Sequence, residues 1–108
     1  MNTYGTVFWK TKIPKKLYNK INYNLNKYGS NRADFLDLGI DYLQLKYSYN
    51  QDIPDLETLY RLSENDEANL VTWQARVSEC EAQGYNQFMS WHDITGRDVL
   101  ATALYHFM

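Results

Sequence analysis

The chain predicts a mostly helical α+β fold built around a short β-ribbon, on three observations. Residues 6–13 alternate apolar and polar side chains with the two-residue period of a strand. A proline follows at once and opens a segment whose apolar residues recur at helical spacing. Parts of that pattern return at an offset of 64 residues, with Val7 over Val71 and Asp34 over Asp98.

Val7, Trp9, Thr11 and Ile13 fall on one side of the first strand, and Phe8, Lys10 and Lys12 on the other. Trp9 and Ile13 are expected in the core. Pro14 ends the strand and suits a first helical turn, where its missing N–H is not needed. Leu17, Ile21, Leu25 and Tyr28 then form the apolar stripe of a helix over residues 15–28, and Gly29 supplies its stop. Ser30 or Asn31 caps a second helix over residues 32–46. Asp34 favours its positive end, and Phe35, Leu36, Gly39, Ile40 and Leu43 line its buried side.

Residues 48–66 read as a linker containing a short helix capped by Asp55, with Leu56, Leu59, Tyr60 and Leu62 as its apolar positions. The next segment has two readings. Leu70, Trp73, Val77 and Cys80 fit one stripe of a helix closed by Gly84, with Ser63 and Asp66 placed to cap it. Equally, Val71, Trp73, Ala75 and Val77 alternate against Thr72, Gln74 and Arg76 as in a strand. Residues 97–108 form a final helix, with Thr95 as its cap and Val99, Leu100, Ala103, Leu104 and Phe107 as its buried stripe.

With 108 residues, 44% of them hydrophobic, the chain has the composition of a single globular domain. No membrane span or signal segment is expected, which favours a cytoplasmic protein. Cys80, His92 and His106 have no zinc-site spacing, and one cysteine cannot form an internal disulfide, so no metal, cofactor or disulfide is expected. No nucleophile motif or phosphate loop is present, which argues against an enzyme. Cys80 is read as a small buried thiol and His92 as a surface histidine. Net charge is −2, but residues 1–50 carry +5 and residues 51–108 carry −7. All seven lysines lie in the first half, five of them from Lys10 to Lys20, so that end suits an anionic partner.

The order Lys12-Ile13-Pro14-Lys15-Lys16-Leu17, Tyr28-Gly29-Ser30-Asn31-Arg32-Ala33-Asp34-Phe35-Leu36 and Gly39-Ile40-Asp41-Tyr42-Leu43 resembles the ribbon-helix-helix DNA-binding proteins of the Arc, MetJ and CopG type. The resemblance covers about residues 6–45. It implies that two strands pair into an antiparallel ribbon that enters the major groove of duplex DNA, with Phe8, Lys10 and Lys12 facing the bases. It also implies a phosphate contact at the start of the second helix, at Ser30, Asn31 and Arg32.

Two arrangements supply the second strand. In the first, residues 67–108 are a degenerate repeat of the module in residues 1–47, as in relaxosome proteins of the TraY type, and the chain is a tandem pseudo-dimer. Thr72, Gln74 and Arg76 are then further base readers, Thr95, Gly96 and Arg97 the second phosphate contact, and the DNA site is asymmetric. Against the repeat stand Leu17 over Glu81, Gly29 over Asp93, and Gly84 inside a helix. In the second arrangement the first module homodimerises and residues 67–108 are a helical extension. The functional expectation is a DNA-binding repressor; the alternatives are a relaxosome or partition accessory protein, and an inhibitor or antitoxin-like module that binds a protein partner through its acidic second half.

Overall fold

The computed structural model of the chain describes residues 5–49 and 69–107. Within them run β1 (Thr6–Pro14), α1 (Lys15–Tyr28), α2 (Arg32–Tyr49), β2 (Leu70–Ser78), α3 (Glu79–Trp91) and α4 (Gly96–Phe107). The second helix runs to Tyr49, three residues past the expected end, and takes up the first two residues of the expected linker; the rest of that linker and the short helix near Asp55 fall outside the described residues. β1 and β2 form a two-stranded antiparallel sheet, with Thr6 opposite Ser78 and Pro14 opposite Leu70. The first strand therefore pairs with a strand of its own chain.

Residues 70–78 are strand, so the helical reading of Leu70, Trp73, Val77 and Cys80 is corrected. A helix would bury all four, whereas Leu70 and Cys80 are exposed. The strand instead buries Trp73, Ala75 and Val77 and meets the unsatisfied edge of β1. The helix begins only at Glu79, where Ser78 and Glu81 form a reciprocal cap: the Glu81 N–H donates to Ser78 Oγ and the Ser78 N–H to Glu81 Oε1. Those bonds hold the Glu81 carboxyl below its ordinary pKa.

The two halves repeat in backbone detail at the offset of 64, including where the side chains diverge. Pro14 and Ser78, the turn-over points from strand to helix, share extended backbone with ψ 142° and 155°. The Lys15 N–H donates to the Asn69 carbonyl, and its counterpart, the Glu79 N–H, donates to Gly5. Gly29 ends α1 in the left-handed region at φ 66°, and Asp93, its counterpart after α3, is there at φ 54°. Aspartate tolerates this conformation better than most residues, so Gly29 over Asp93 is a conserved geometry and not a break in the repeat. The Ser30 N–H to Leu25 carbonyl bond recurs as Ile94 to Met89.

The core lies between the ribbon's inner face and the helices. Trp9 and Ile13 from β1 and Trp73, Ala75 and Val77 from β2 meet Leu17, Ile21 and Leu25 of α1, Phe35, Leu36, Ile40 and Leu43 of α2, and Val99, Leu100, Ala103 and Leu104 of α4. Each large aliphatic or phenyl group so enclosed contributes about 1.5–3 kcal/mol relative to exposure. Tyr28, expected on the buried stripe of α1, is exposed instead. The most extensive helix contact is between α2 and α4, and it closes at Gly39, where a Cβ would strike the Val99 carbonyl oxygen. Nearby, Tyr42 and its counterpart His106 stack face to face with ring centroids 3.4 Å apart.

Candidate nucleic-acid interface

Six side chains stand on the ribbon face turned away from the helices: Phe8, Lys10 and Lys12 from β1, and Thr72, Gln74 and Arg76 from β2. They form three cross-strand pairs, Phe8 with Arg76, Lys10 with Gln74 and Lys12 with Thr72. Five are exposed and Gln74 is half-buried. Among these six side chains are three cations and no acid.

Arg76 is positioned within this face. Its Nε donates to Thr6 Oγ1 at 3.0 Å, and its guanidinium carbon lies 5.8 Å from the centre of the Phe8 ring. Neither Lys10 nor Lys12 has a side-chain partner among the described residues. Both ammonium groups are thus available to a ligand, and the role of Thr6 in steadying Arg76 becomes visible only through the strand register.

The helix starts differ from expectation. Asn31, not Ser30, caps α2: its Oδ1 accepts the Asp34 N–H at 2.8 Å and its Nδ2 donates to Asp34 Oδ2 at 3.0 Å. The Ser30 N–H is already committed to Leu25, so it leaves the set of open donors. Arg32 turns its guanidinium inward, donating to the Gln74 carbonyl at 3.1 Å and to Tyr18 Oη and Asn22 Oδ1 at 3.3 Å each. It also lies 5.6 Å from the centres of the Tyr18 and Trp73 rings. The cation holds α1, α2 and β2 together and lowers the Tyr18 phenol pKa through that hydrogen bond. For an anion Arg32 offers only its backbone N–H, which the first turn of a helix leaves without an internal acceptor.

At α4 the counterpart positions are more closed. Thr95 Oγ1 accepts the Asp98 N–H and the Thr95 N–H donates to Asp98 Oδ2 at 2.9 Å, so the Thr95 N–H is not open either. Asp98 is buried beside it and puts a carboxylate at the helix start. Gly96 is buried against Thr11 of β1, leaving no room for a Cβ, and Arg97 is half-buried. The start of α2 is the better placed of the two for a phosphate.

Arg32 also explains an imbalance in the core. Trp9 Nε1 donates to Asn86 Oδ1 at 3.1 Å. The counterparts are Trp73 and Asn22, yet Arg32 occupies Asn22 Oδ1, and the buried Trp73 Nε1 has no hydrogen-bond partner among the described residues. The position equivalent to Arg32 is Gly96, so no guanidinium from that position competes for Asn86. The resemblance implies a phosphate contact for Arg32 through its backbone N–H at the helix start; the partners of its side chain are brought to it only by packing.

Cys80, expected to be buried, is exposed. His92 is half-buried, stacked against Tyr47 with ring centroids 4.8 Å apart. No group of three metal-ligating side chains converges among the described residues, and no helix among them is long and apolar enough to cross a membrane. Comparison of the chain with family models, with curated proteins and with solved structures gives no match.

Proposed function

We propose that the chain is a sequence-specific duplex-DNA-binding protein of the ribbon-helix-helix type, a tandem pseudo-dimer that acts as a transcriptional repressor. The observation that supports this most is the ribbon's outer face, where Phe8, Lys10, Lys12, Thr72, Gln74 and Arg76 project from a two-stranded sheet. A two-stranded ribbon has the width of the major groove. Lysine and arginine donate to guanine O6 and N7, glutamine pairs with adenine N6 and N7, and the Phe8 ring and Thr72 methyl suit a thymine methyl. The N–H groups at the start of α2 would set the ribbon's depth by holding phosphate.

The test is binding of purified protein to a randomised duplex pool at two salt concentrations. Expected is selective enrichment together with affinity that falls steeply with salt, since each neutralised phosphate releases counterions. Absent or salt-insensitive binding refutes the proposal.

A second reading, a module that binds a protein partner, is supported by Trp91, 85% exposed at the end of α3, in the half of the chain that carries −7. Exposed aromatic residues commonly anchor protein interfaces. That reading predicts a partner that co-purifies and is lost on Trp91→Ala, with Lys12→Ala having no effect.

A further inference from the structure

We propose that the DNA element read by this ribbon is palindromic at its outer positions and departs from palindromy at its centre, where one of two symmetry-related base pairs is G·C and the other A·T. This rests on the DNA-binding reading and adds the form of the target.

The inference comes from combining the strand register with the repeat. At the offset of 64, Lys10 and Gln74 are equivalent positions, and they are also direct cross-strand partners. The pseudo-two-fold axis of the ribbon therefore passes between them. Away from the axis, Lys12 is equivalent to Arg76, and Phe8 to Thr72. Each of these outer pairs keeps one chemistry: two cations that donate to guanine, and two groups with an apolar surface for a thymine methyl. The central pair does not. Lys10 is a donor only, which suits guanine O6 and N7, whereas the Gln74 amide both donates and accepts, which suits adenine.

Backbone symmetry sets the two halves of the ribbon in equivalent register toward the bases, although the start of α2 is more open to phosphate than the start of α4. The Lys15 to Asn69 and Glu79 to Gly5 hydrogen bonds close the two ends of the ribbon alike, and Asn31 and Thr95 start α2 and α4 alike. Duplex DNA has two-fold axes of its own, so a ribbon whose halves stand in equivalent register reads symmetry-related positions on opposite strands. A difference in base preference must then come from a difference in side chain. That difference is concentrated on the axis, and one substitution removes it. Lys10→Gln places two glutamines at the centre, and Gln74→Lys places two lysines there.

The experiment selects sites from a randomised duplex pool with the wild-type chain, with Lys10→Gln and with Gln74→Lys, each checked by thermal melting. Expected for the wild type is a consensus with matching outer positions and a mixed centre. Lys10→Gln should convert the central G·C pair so that both are A·T, and Gln74→Lys should convert the central A·T pair so that both are G·C, each with a preference switch of about 5- to 150-fold at one position only. A wild-type consensus palindromic through its centre overturns the inference, as does a folded variant whose changes fall at outer positions or nowhere. Either result leaves DNA binding standing. Enrichment of no duplex by the wild type refutes the DNA-binding reading itself, and this inference with it.

Discussion

Gly39 and Gly84 both sit inside helices, and replacing each with alanine should move stability in opposite directions. In a helix interior alanine is favoured over glycine by about 0.8–1.0 kcal/mol, whatever surrounds it. Gly84 lies on the exposed side of α3, and a Cβ there meets nothing within 4 Å. The full gain should appear, about 1 kcal/mol, or a melting temperature higher by about 4–8 °C for a domain of this size. At Gly39 the new methyl would fall on the Val99 carbonyl oxygen and 2.9 Å from Val99 Cγ1. A backbone carbonyl of α4 cannot rotate away, so α2 and α4 must separate along their main contact, an overpacking cost of about 1–3 kcal/mol. Set against the same propensity gain, Gly39→Ala should be neutral to about 2 kcal/mol destabilised. Subtracting the two variants cancels propensity and isolates the clash. Urea unfolding with unchanged m-values gives both numbers. If Gly39→Ala proves as stable as Gly84→Ala, the close approach of α2 and α4 at this point is refuted.

Other expectations follow from particular contacts. Asp93→Gly should stabilise the fold by up to about 1 kcal/mol, because Asp93 holds a left-handed φ that glycine adopts without steric cost; a melting temperature below wild type would contradict this. Arg32→Met keeps the aliphatic stem but removes the bonds to Gln74, Tyr18 and Asn22, and should cost about 1–3 kcal/mol in urea unfolding; an unchanged midpoint would deny its holding role. Burial pushes the His106 pKa below its ordinary 6.5, so the unfolded chain takes up the proton first. Stability should therefore fall as pH drops from about 6.5 through the lowered folded-state value, and His106→Phe, which preserves a ring against Tyr42, should remove that part of the pH dependence. Lys12→Ala should relax base preference at one outer position of the DNA site by about 1–3 kcal/mol, measured by competition with single-base variants; equal losses on every sequence would assign Lys12 to phosphate instead.

Among the phosphate candidates, those that were legible and those that were not differ for a physical reason. Asn31 and Thr95 could be read as caps because a cap is a bond between residues three apart, fixed by local backbone. The role of the Arg32 side chain could not be read, because its acceptors lie on α1 and β2 and exist as a site only after those elements pack. Gly84 stands inside α3 on its exposed side, where it keeps its propensity cost but opens no clash or gap in the packing. Cys80 misled for a similar reason: a small apolar residue beside a strand looks buried until the strand ends two residues earlier and the new helix turns it outward.

By itself the amino-acid sequence determined the features that depend on near neighbours. These are the alternation that separates Lys10 and Lys12 from Trp9 and Ile13, the proline that turns strand into helix, Gly29 as a stop, and the apolar stripe of α2. Only the tertiary structure decided that residues 70–78 are strand, since their apolar spacing satisfies both periods and the unpaired edge of β1 selects between them. The same pairing decided which side chains share the outer face and that Lys10 meets Gln74 on its axis. Register is a relation between segments 64 residues apart, and no local preference encodes it.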